Sequence, residues 1–354
     1  MTDSSGSGDS VDVAFVGRAN IDLTIHVPHR ARPGRTAIGS PLTATAGGKS
    51  LNQAIAAARH GGRATLIANV GADTWGHQIT TALTDAGVDT RHVQLIPDAT
   101  TAAAIIEVTP DGESYITLAL SPATELTPGD IHRAAAGLGT EAVIVQLDLP
   151  PEPVTTLLSH RRAPIIIGNL VPHPDLGPTL LAELDVLVVN QHEAAAILRT
   201  TAGNPLDAAV ALQRLGPRTV VVTAGPNGAA FTHPHGSATL PAPAVPVVDT
   251  TGAGDAFLGC LALDLARHTP YPRPSAPPSM PAPTPSGTVA LTRRHIGFPD
   301  GSTGSTAAAS TTRPGFIGQL TQSRQSQAPQ VGPPNPRRPT PRAQPPLRMP
   351  IHPR

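Results

Sequence analysis

Aromatic residues are nearly missing from this chain, cysteine occurs once and lysine once in 354 positions. Aromatics make up 2%, so a core drawn from the 39% hydrophobic fraction has to be built from Ala, Val, Leu and Ile. Cys260 has no second cysteine to pair with, which excludes an intrachain disulfide and suits a reducing compartment. On an apolar helix it reads as a packed small side chain rather than a nucleophile. No apolar run approaches the ~20 residues that span a bilayer. Residues 1–10 are polar and lack the basic-then-apolar order of a secretory leader, so a disordered N-terminus on a cytoplasmic protein with no membrane partner is expected. His60, His77 and His192 show no metal-ligand spacing.

The lysine bias is informative. Every basic residue but one is Arg, and the exception is Lys49, within Ala46-Gly47-Gly48-Lys49-Ser50-Leu51-Asn52-Gln53. A compact ammonium placed there has a task that a planar guanidinium does not perform. The segment is a Gly-rich turn feeding an Ala-rich helix, expected over 52–60. It is not a Walker A loop, because the G-x-x-x-x-G-K-[ST] spacing is absent.

A second Gly-rich turn organises the chemistry. Val248-Asp249-Thr250-Thr251-Gly252-Ala253-Gly254-Asp255-Ala256-Phe257 places three small residues before an apolar helical segment. The N–H groups of Gly252, Ala253 and Gly254 at a helix N-terminus make an anion hole. Asp255 stands beside it, where a carboxylate can take a proton from a hydroxyl that attacks a phosphoryl group. The plain alternative is a capped helix after a turn.

The rest of the chain alternates. Residues 11–17 read as a buried strand, followed by Asn20 and Asp22 just past its end. Residues 23–46 read as short antiparallel strands, and 101–120 as a hairpin turning at Pro110-Asp111-Gly112; together they suggest a small lid sheet. Further apolar strands alternate with helices, which indicates a mostly parallel sheet covered on both faces. Asn20, Asp148, Asn190 and Thr223 recur at strand ends, and such a series along one sheet edge argues for a ligand cleft.

These segments resemble a known family. Gly47 to Ala54 is similar to the ribokinase signature, Asp249 to Asp255 to the C-terminal signature of the PfkB sugar kinases, and Asn190 with Glu193 to the N-x-x-E element of that family. The resemblance runs from about residue 11 to about residue 266. It implies a ribokinase-like three-layer α/β/α sandwich with a β-sheet lid, and ATP-dependent phosphorylation of a sugar, D-ribose foremost. It implies Asp255 as general base, with Asn20, Asp22, Gly48, Lys49, Asn52 and Asp148 around the sugar; ribokinases usually carry Glu where Asp148 stands. Asn190, Thr223, Gly225, Gly228 and Gly254 would line the ATP site. Glu193 would organise Mg²⁺ through its waters. Asp249 and Thr251 would belong to a monovalent-cation loop completed by Ser310, Arg313 and Gly315 holding K⁺. An open lid edge suggests a homodimer.

Past residue 267 the composition changes. Up to His268, fifteen basic residues face twenty-four acidic ones; beyond it, ten Arg stand with Asp300 alone, among 20 of the 41 prolines. Residues 268–305 cannot form the helix pair that the family places there. They are an insertion or the product of a reading-frame shift, and the abrupt compositional change favours the second. Residues 306–321 resemble a return of the family's last helix and cation loop, and 322–354 read as a disordered Pro/Arg-rich tail. The tail holds few aromatics for base stacking, so a solvated tail is favoured over nucleic-acid binding. Two other functions stay open: a PfkB kinase for fructose, a nucleoside or a related sugar, and a sugar- or nucleotide-binding protein that has lost turnover.

Overall fold

A computed structural model describes residues 12–160, 163–246 and 250–267, all within one compact unit. The readings for 1–10, 268–305, 306–321 and 322–354, and those for Asp249, Ser310, Arg313 and Gly315, lie outside the described residues. The order is β1 (Asp12–Val16), β2 (Asn20–His26), β3 (Thr43–Gly47), α1 (Lys49–Arg59), β4 (Arg63–Gly71), α2 (Thr74–Asp85), β5 (Asp89–Ile96), β6 (Ala103–Val108) and β7 (Ser114–Ala119). Then come α3 (Pro128–Gly137), β8 (Ala142–Gln146), α4 (Pro151–His160), β9 (Ile165–Asn169), β10 (Val186–Asn190) and α5 (Gln191–Leu198). The described part closes with α6 (Pro205–Gln213), β11 (Thr219–Thr223), β12 (Ala229–His233), β13 (Gly236–Leu240) and α7 (Ala253–Arg267).

Nine of these strands form one sheet in the order β13-β12-β11-β10-β9-β8-β1-β4-β5. All its pairings are parallel except β11–β12 and β12–β13. The sheet is mostly parallel because helices cross over between its strands, and both faces are therefore covered. Alternate residues of β1 show it: Val13 and Phe15 belong to the core layer that includes α1, α2 and α7, while Ala14 and Val16 belong to the layer that includes α3, α4, α5 and α6. The result is the expected three-layer sandwich. From β1 the chain proceeds to β4 on one side and, later, to β8 on the other. That reversal is a topological switch point, and in open α/β sheets the crevice at the carboxyl ends of the strands beside such a point is where ligands bind.

The lid is a four-stranded sheet, β3-β2-β6-β7. Its β2–β3 and β6–β7 pairs are antiparallel as expected, but β2 and β6 run parallel, which ties the two predicted halves into one sheet. The hairpin turn holds Gly112 at φ 85° and donates its N–H to the Thr109 carbonyl at 2.9 Å. Ile105, Ile116 and Leu118 remain exposed on this sheet, and Leu120 just past β7.

Helix α1 begins at Lys49 rather than at Asn52. Gly48, at φ 99°, makes the turn that a residue with a Cβ resists, and the Asn52 N–H already closes onto the Gly48 carbonyl at 2.9 Å. Lys49 therefore sits on the first helical turn, near the crevice.

Candidate active site

The carboxyl ends of β1, β8, β9, β10 and β11 carry the polar residues, and the N-termini of α1 and α7 face the same region. Asp255 lies on the first turn of α7. Its Oδ2 accepts a hydrogen bond from the Asn52 side-chain amide at 3.2 Å, and its Oδ1 one from the Gln53 amide at 3.1 Å. Two consecutive residues of α1 thus take one oxygen each. Burial pushes the Asp255 carboxyl above the ordinary carboxylate range; the Lys49 ammonium, then Asn52 and Gln53, pull it back. Lys49 exerts the same downward pull on Asp148, so one ammonium serves two carboxylates.

Asn20 and Asp22 open the first lid strand, β2, and the Asn20 amide donates to Asp22 Oδ1 at 2.7 Å. Burial raises the Asp22 carboxyl and the charge of Asp255 raises it further, while the Asn20 bond opposes both. Gly47 and Gly48 are glycines because of this neighbourhood. A Cβ on Gly47 would lie 2.1 Å from Asp22 Oδ2, and one on Gly48 2.8 Å from Asn20 Oδ1. The predicted sugar residues Asn20, Asp22, Gly48, Lys49, Asn52, Asp148 and Asp255 are thus linked by contacts or by electrostatic influence.

The turn before α7 departs from the expected anion hole. The Ala253 N–H donates to the Thr250 carbonyl at 3.1 Å and is spent on the turn. Gly252, at φ 73°, and Gly254 are the remaining predicted donors. The hole is therefore narrower here than three consecutive N–H groups would make it.

On the other side of the crevice Asn190 and Thr223 stand opposite each other in the β10–β11 register. Asn190 caps α5: its Oδ1 accepts from the N–H groups of His192 and Glu193, each at 2.9 Å, and Glu193 Oε2 accepts the Asn190 N–H at 2.9 Å. The N-x-x-E element is thus a reciprocal capping box. It occupies one oxygen of Glu193, Oε2. Gly225 and Gly228 shape the loop after β11, at φ 55° and 84°.

Sequence reasoning missed four participants. Gln53 was part of the signature but was given no role. Asn169, at the end of β9, links Gln53 to the sheet. Arg18 follows β1 and forks onto Glu125, at 2.7 and 2.9 Å, while also gripping Asp148 Oδ2 at 3.0 Å. Glu125 lies just past the lid, beyond the reach of local pattern. The only usable signal for Arg18 and Asn169 was their place at strand ends.

A separate groove of about 480 Å³ opens at the opposite end of the sheet, among residues including Asp12, Arg63, Asp89 and Arg91. Arg63 pairs with Asp12 and Arg91 with Asp89, so the groove offers those charges already matched.

The profile of the pfkB family carbohydrate kinases matches residues 10–273. The chain belongs to that family. Among its relatives is the ribokinase of Staphylococcus aureus, 31% identical over 254 residues, which cover 70% of this chain and 84% of the relative. The deoxyribokinase of Salmonella typhimurium is 29% identical over 263 residues, covering 71% and 85%. The structure of a ribokinase from Cryptococcus neoformans var. grubii in complex with ADP aligns at a TM-score of 0.60 and 30% identity, covering 74% and 89%. The sandwich and lid described above are the fold of this pfkB kinase. Among the described residues no helix is long and apolar enough to cross a membrane.

Proposed function

We propose that this protein transfers the γ-phosphoryl group of ATP to a hydroxyl of D-ribose, giving D-ribose 5-phosphate and ADP. The observation that carries the reading is Asp255 at the start of α7, with each carboxylate oxygen on a side-chain amide and Lys49 close by. In this reading Asp255 accepts the proton of the attacking hydroxyl. The N–H groups of Gly252 and Gly254 meet the charge that builds on the phosphoryl oxygens, with Ala253 contributing once its bond to Thr250 opens. Asn20, Asp22, Asn52, Asp148 and the Gly48-Lys49 turn pair the sugar hydroxyls, since a buried polyol has to have each hydroxyl bonded. Asn190, Thr223, Gly225 and Gly228 hold the nucleotide.

Mg²⁺ belongs to the same reading and supplies charge neutralisation for the phosphates. The free Oε1 of Glu193 suits its hydration shell, since an ion of this kind keeps several waters. For K⁺, the turn around Thr251, with Asp249, Ser310, Arg313 and Gly315, would give carbonyl oxygens. A homodimer formed through exposed apolar residues of the lid strands, and a cytoplasmic setting, complete the proposal. An exposed patch of Ile and Leu on a small sheet is what an interface between copies covers.

A second reading is favoured by one finding: the deoxyribokinase relative is nearly as similar as the ribokinases. A panel of D-ribose, 2-deoxyribose, fructose and adenosine with ATP and Mg²⁺ decides. Phosphorylation of D-ribose with the highest kcat/KM supports the first reading; preference for 2-deoxyribose replaces it. No turnover with any of the four would leave a binding protein and remove the kinase reading.

A further inference from the structure

The residue that holds Asp255 is itself held. Gln53 is fully buried, and its side-chain nitrogen donates both to Asp255 Oδ1 at 3.1 Å and to Asn169 Oδ1 at 3.2 Å. An amide nitrogen has two hydrogens, so both are committed. Asn169 in turn donates to the Val188 carbonyl at 2.7 Å, inside the central sheet. A continuous path of three hydrogen bonds therefore runs from the backbone of β10 through β9 and α1 to the carboxylate on α7. Gln53 Oε1 is buried with no partner, so the bonds to Asp255 and Asn169 are what fix the orientation of this amide.

The helices are brought close enough by a single glycine. A Cβ on Gly259, one turn along α7 from Asp255, would lie 2.3 Å from the Gln53 carbonyl oxygen and 2.9 Å from the Ala56 Cβ. Backbone cannot give way as a flexible side chain can, so any larger residue there moves α7 off α1. The contact sits at Gln53 itself.

We propose that Gln53 is a positioning residue for the phosphoryl-transfer step: anchored by Asn169 and approached closely only because position 259 is glycine, it fixes the rotamer of the Asp255 side chain. With Oδ1 tied to Gln53, the carboxylate plane is set and Oδ2 is turned toward the incoming hydroxyl. Asn52 touches Oδ2 and is free to exchange that bond for one to substrate, whereas Gln53 has no access to substrate. The inference rests on Asp255 acting as the base.

The experiment compares pH profiles of ATP-dependent phosphorylation of D-ribose by the full-length protein and by Gln53→Leu, Asn169→Ala and Gly259→Ala. The groups facing Asp255 that carry charge are Lys49 and Asp22, and both are unchanged in these variants. Gln53→Leu is expected to lower kcat by about a hundredfold, within the range that a correctly placed general base contributes. KM for ATP stays within about twofold, and the acid limb of kcat/KM moves to higher pH, because a donor to the ionised form is gone. Asn169→Ala and Gly259→Ala show the same direction with smaller losses. Asn169→Ala combined with Gln53→Leu loses no more than Gln53→Leu alone, as residues acting in series do. If Gln53→Leu does not fold, the other two variants carry the comparison. An acid limb that stays in place in every folded variant, with kcat falling only as melting temperature falls, assigns Gln53 to packing and overturns the proposal. Turnover missing in the wild type removes the functional reading itself, which is a different outcome.

Discussion

Arg18 holds Asp148 and Glu125 with one guanidinium, and so joins the base of the lid to the end of β8. It forks onto Glu125 and reaches Asp148 Oδ2 at 3.0 Å, while Asp148 Oδ1 is buried without a partner. Glu125 is anchored in turn, because its carbonyl accepts from the Asn69 side chain at 3.3 Å. Burial pushes the Asp148 carboxyl up and Arg18 is the main influence pulling it down. Arg18→Ala therefore leaves Asp148 unaimed and more readily protonated. A hydrogen bond between charged groups is worth about 1.5–3 kcal/mol, so KM for the sugar is expected to rise by roughly tenfold, with KM for ATP unmoved. Steady-state kinetics with each substrate varied in turn checks this.

Asp22 and Asp255 stabilise the site chemically and cost the fold. Both carboxyls lie above their ordinary value, chiefly through burial. A folded-state pKa raised above the unfolded one contributes stability that is present below the unfolded value and lost as pH rises through the folded value. Asp22→Asn, which keeps an acceptor for the Asn20 amide, is expected to melt above the wild type at about pH 8 and to match it near about pH 4. Calorimetry at the two pH values gives the sign.

Gly228 tests the loop proposed to hold the nucleotide. It sits at φ 84°, and a Cβ there would lie 1.9 Å from the Leu240 carbonyl. The Ala224 N–H closes the loop onto the Gly228 carbonyl at 2.8 Å. Gly228→Ala is expected to cost about 1–3 kcal/mol of stability through backbone strain. It should raise KM for ATP more than KM for the sugar. Chemical denaturation and kinetics together separate the two effects.

The proposed lid interface is open to a direct test. Ile116 is 60% exposed in the middle of β7. Ile116→Lys is expected to shift a dimer to monomer in sedimentation analysis without unfolding the sandwich. A wild type that sediments as a monomer at all concentrations would remove the dimer from the proposal.

Much of this arrangement was legible because the informative residues are local in sequence. Lys49 stood out as the only lysine, and Ala253 to Asp255 fell on the first turn of a helix, with Gly252 in the turn before it. Strands β1, β8, β9, β10 and β11 are short apolar runs bounded by polar residues, so their ends were readable. Strand β5 was not, because its burial is only partial and its sequence, Asp89-Thr90-Arg91-His92-Val93-Gln94, is polar. The β12–β13 hairpin and helices α4 and α6 lacked a chemical motif to draw attention. Arg18–Glu125 and Gln53–Asp255 join positions more than a hundred residues apart, and no periodicity encodes such pairs. The commitment of the Ala253 N–H to Thr250 is likewise a matter of turn conformation that the residue types leave open.

The claim beneath all of this is that Asp255 removes a proton from a sugar hydroxyl. The most direct measurement is coupled ADP release with D-ribose, ATP and Mg²⁺ for the wild type and Asp255→Asn, alongside calorimetric titration of D-ribose into each. The account predicts turnover by the wild type, a loss of roughly 10²–10⁴-fold in kcat for the variant, and sugar binding retained in both. Equal rates in the two proteins would contradict it.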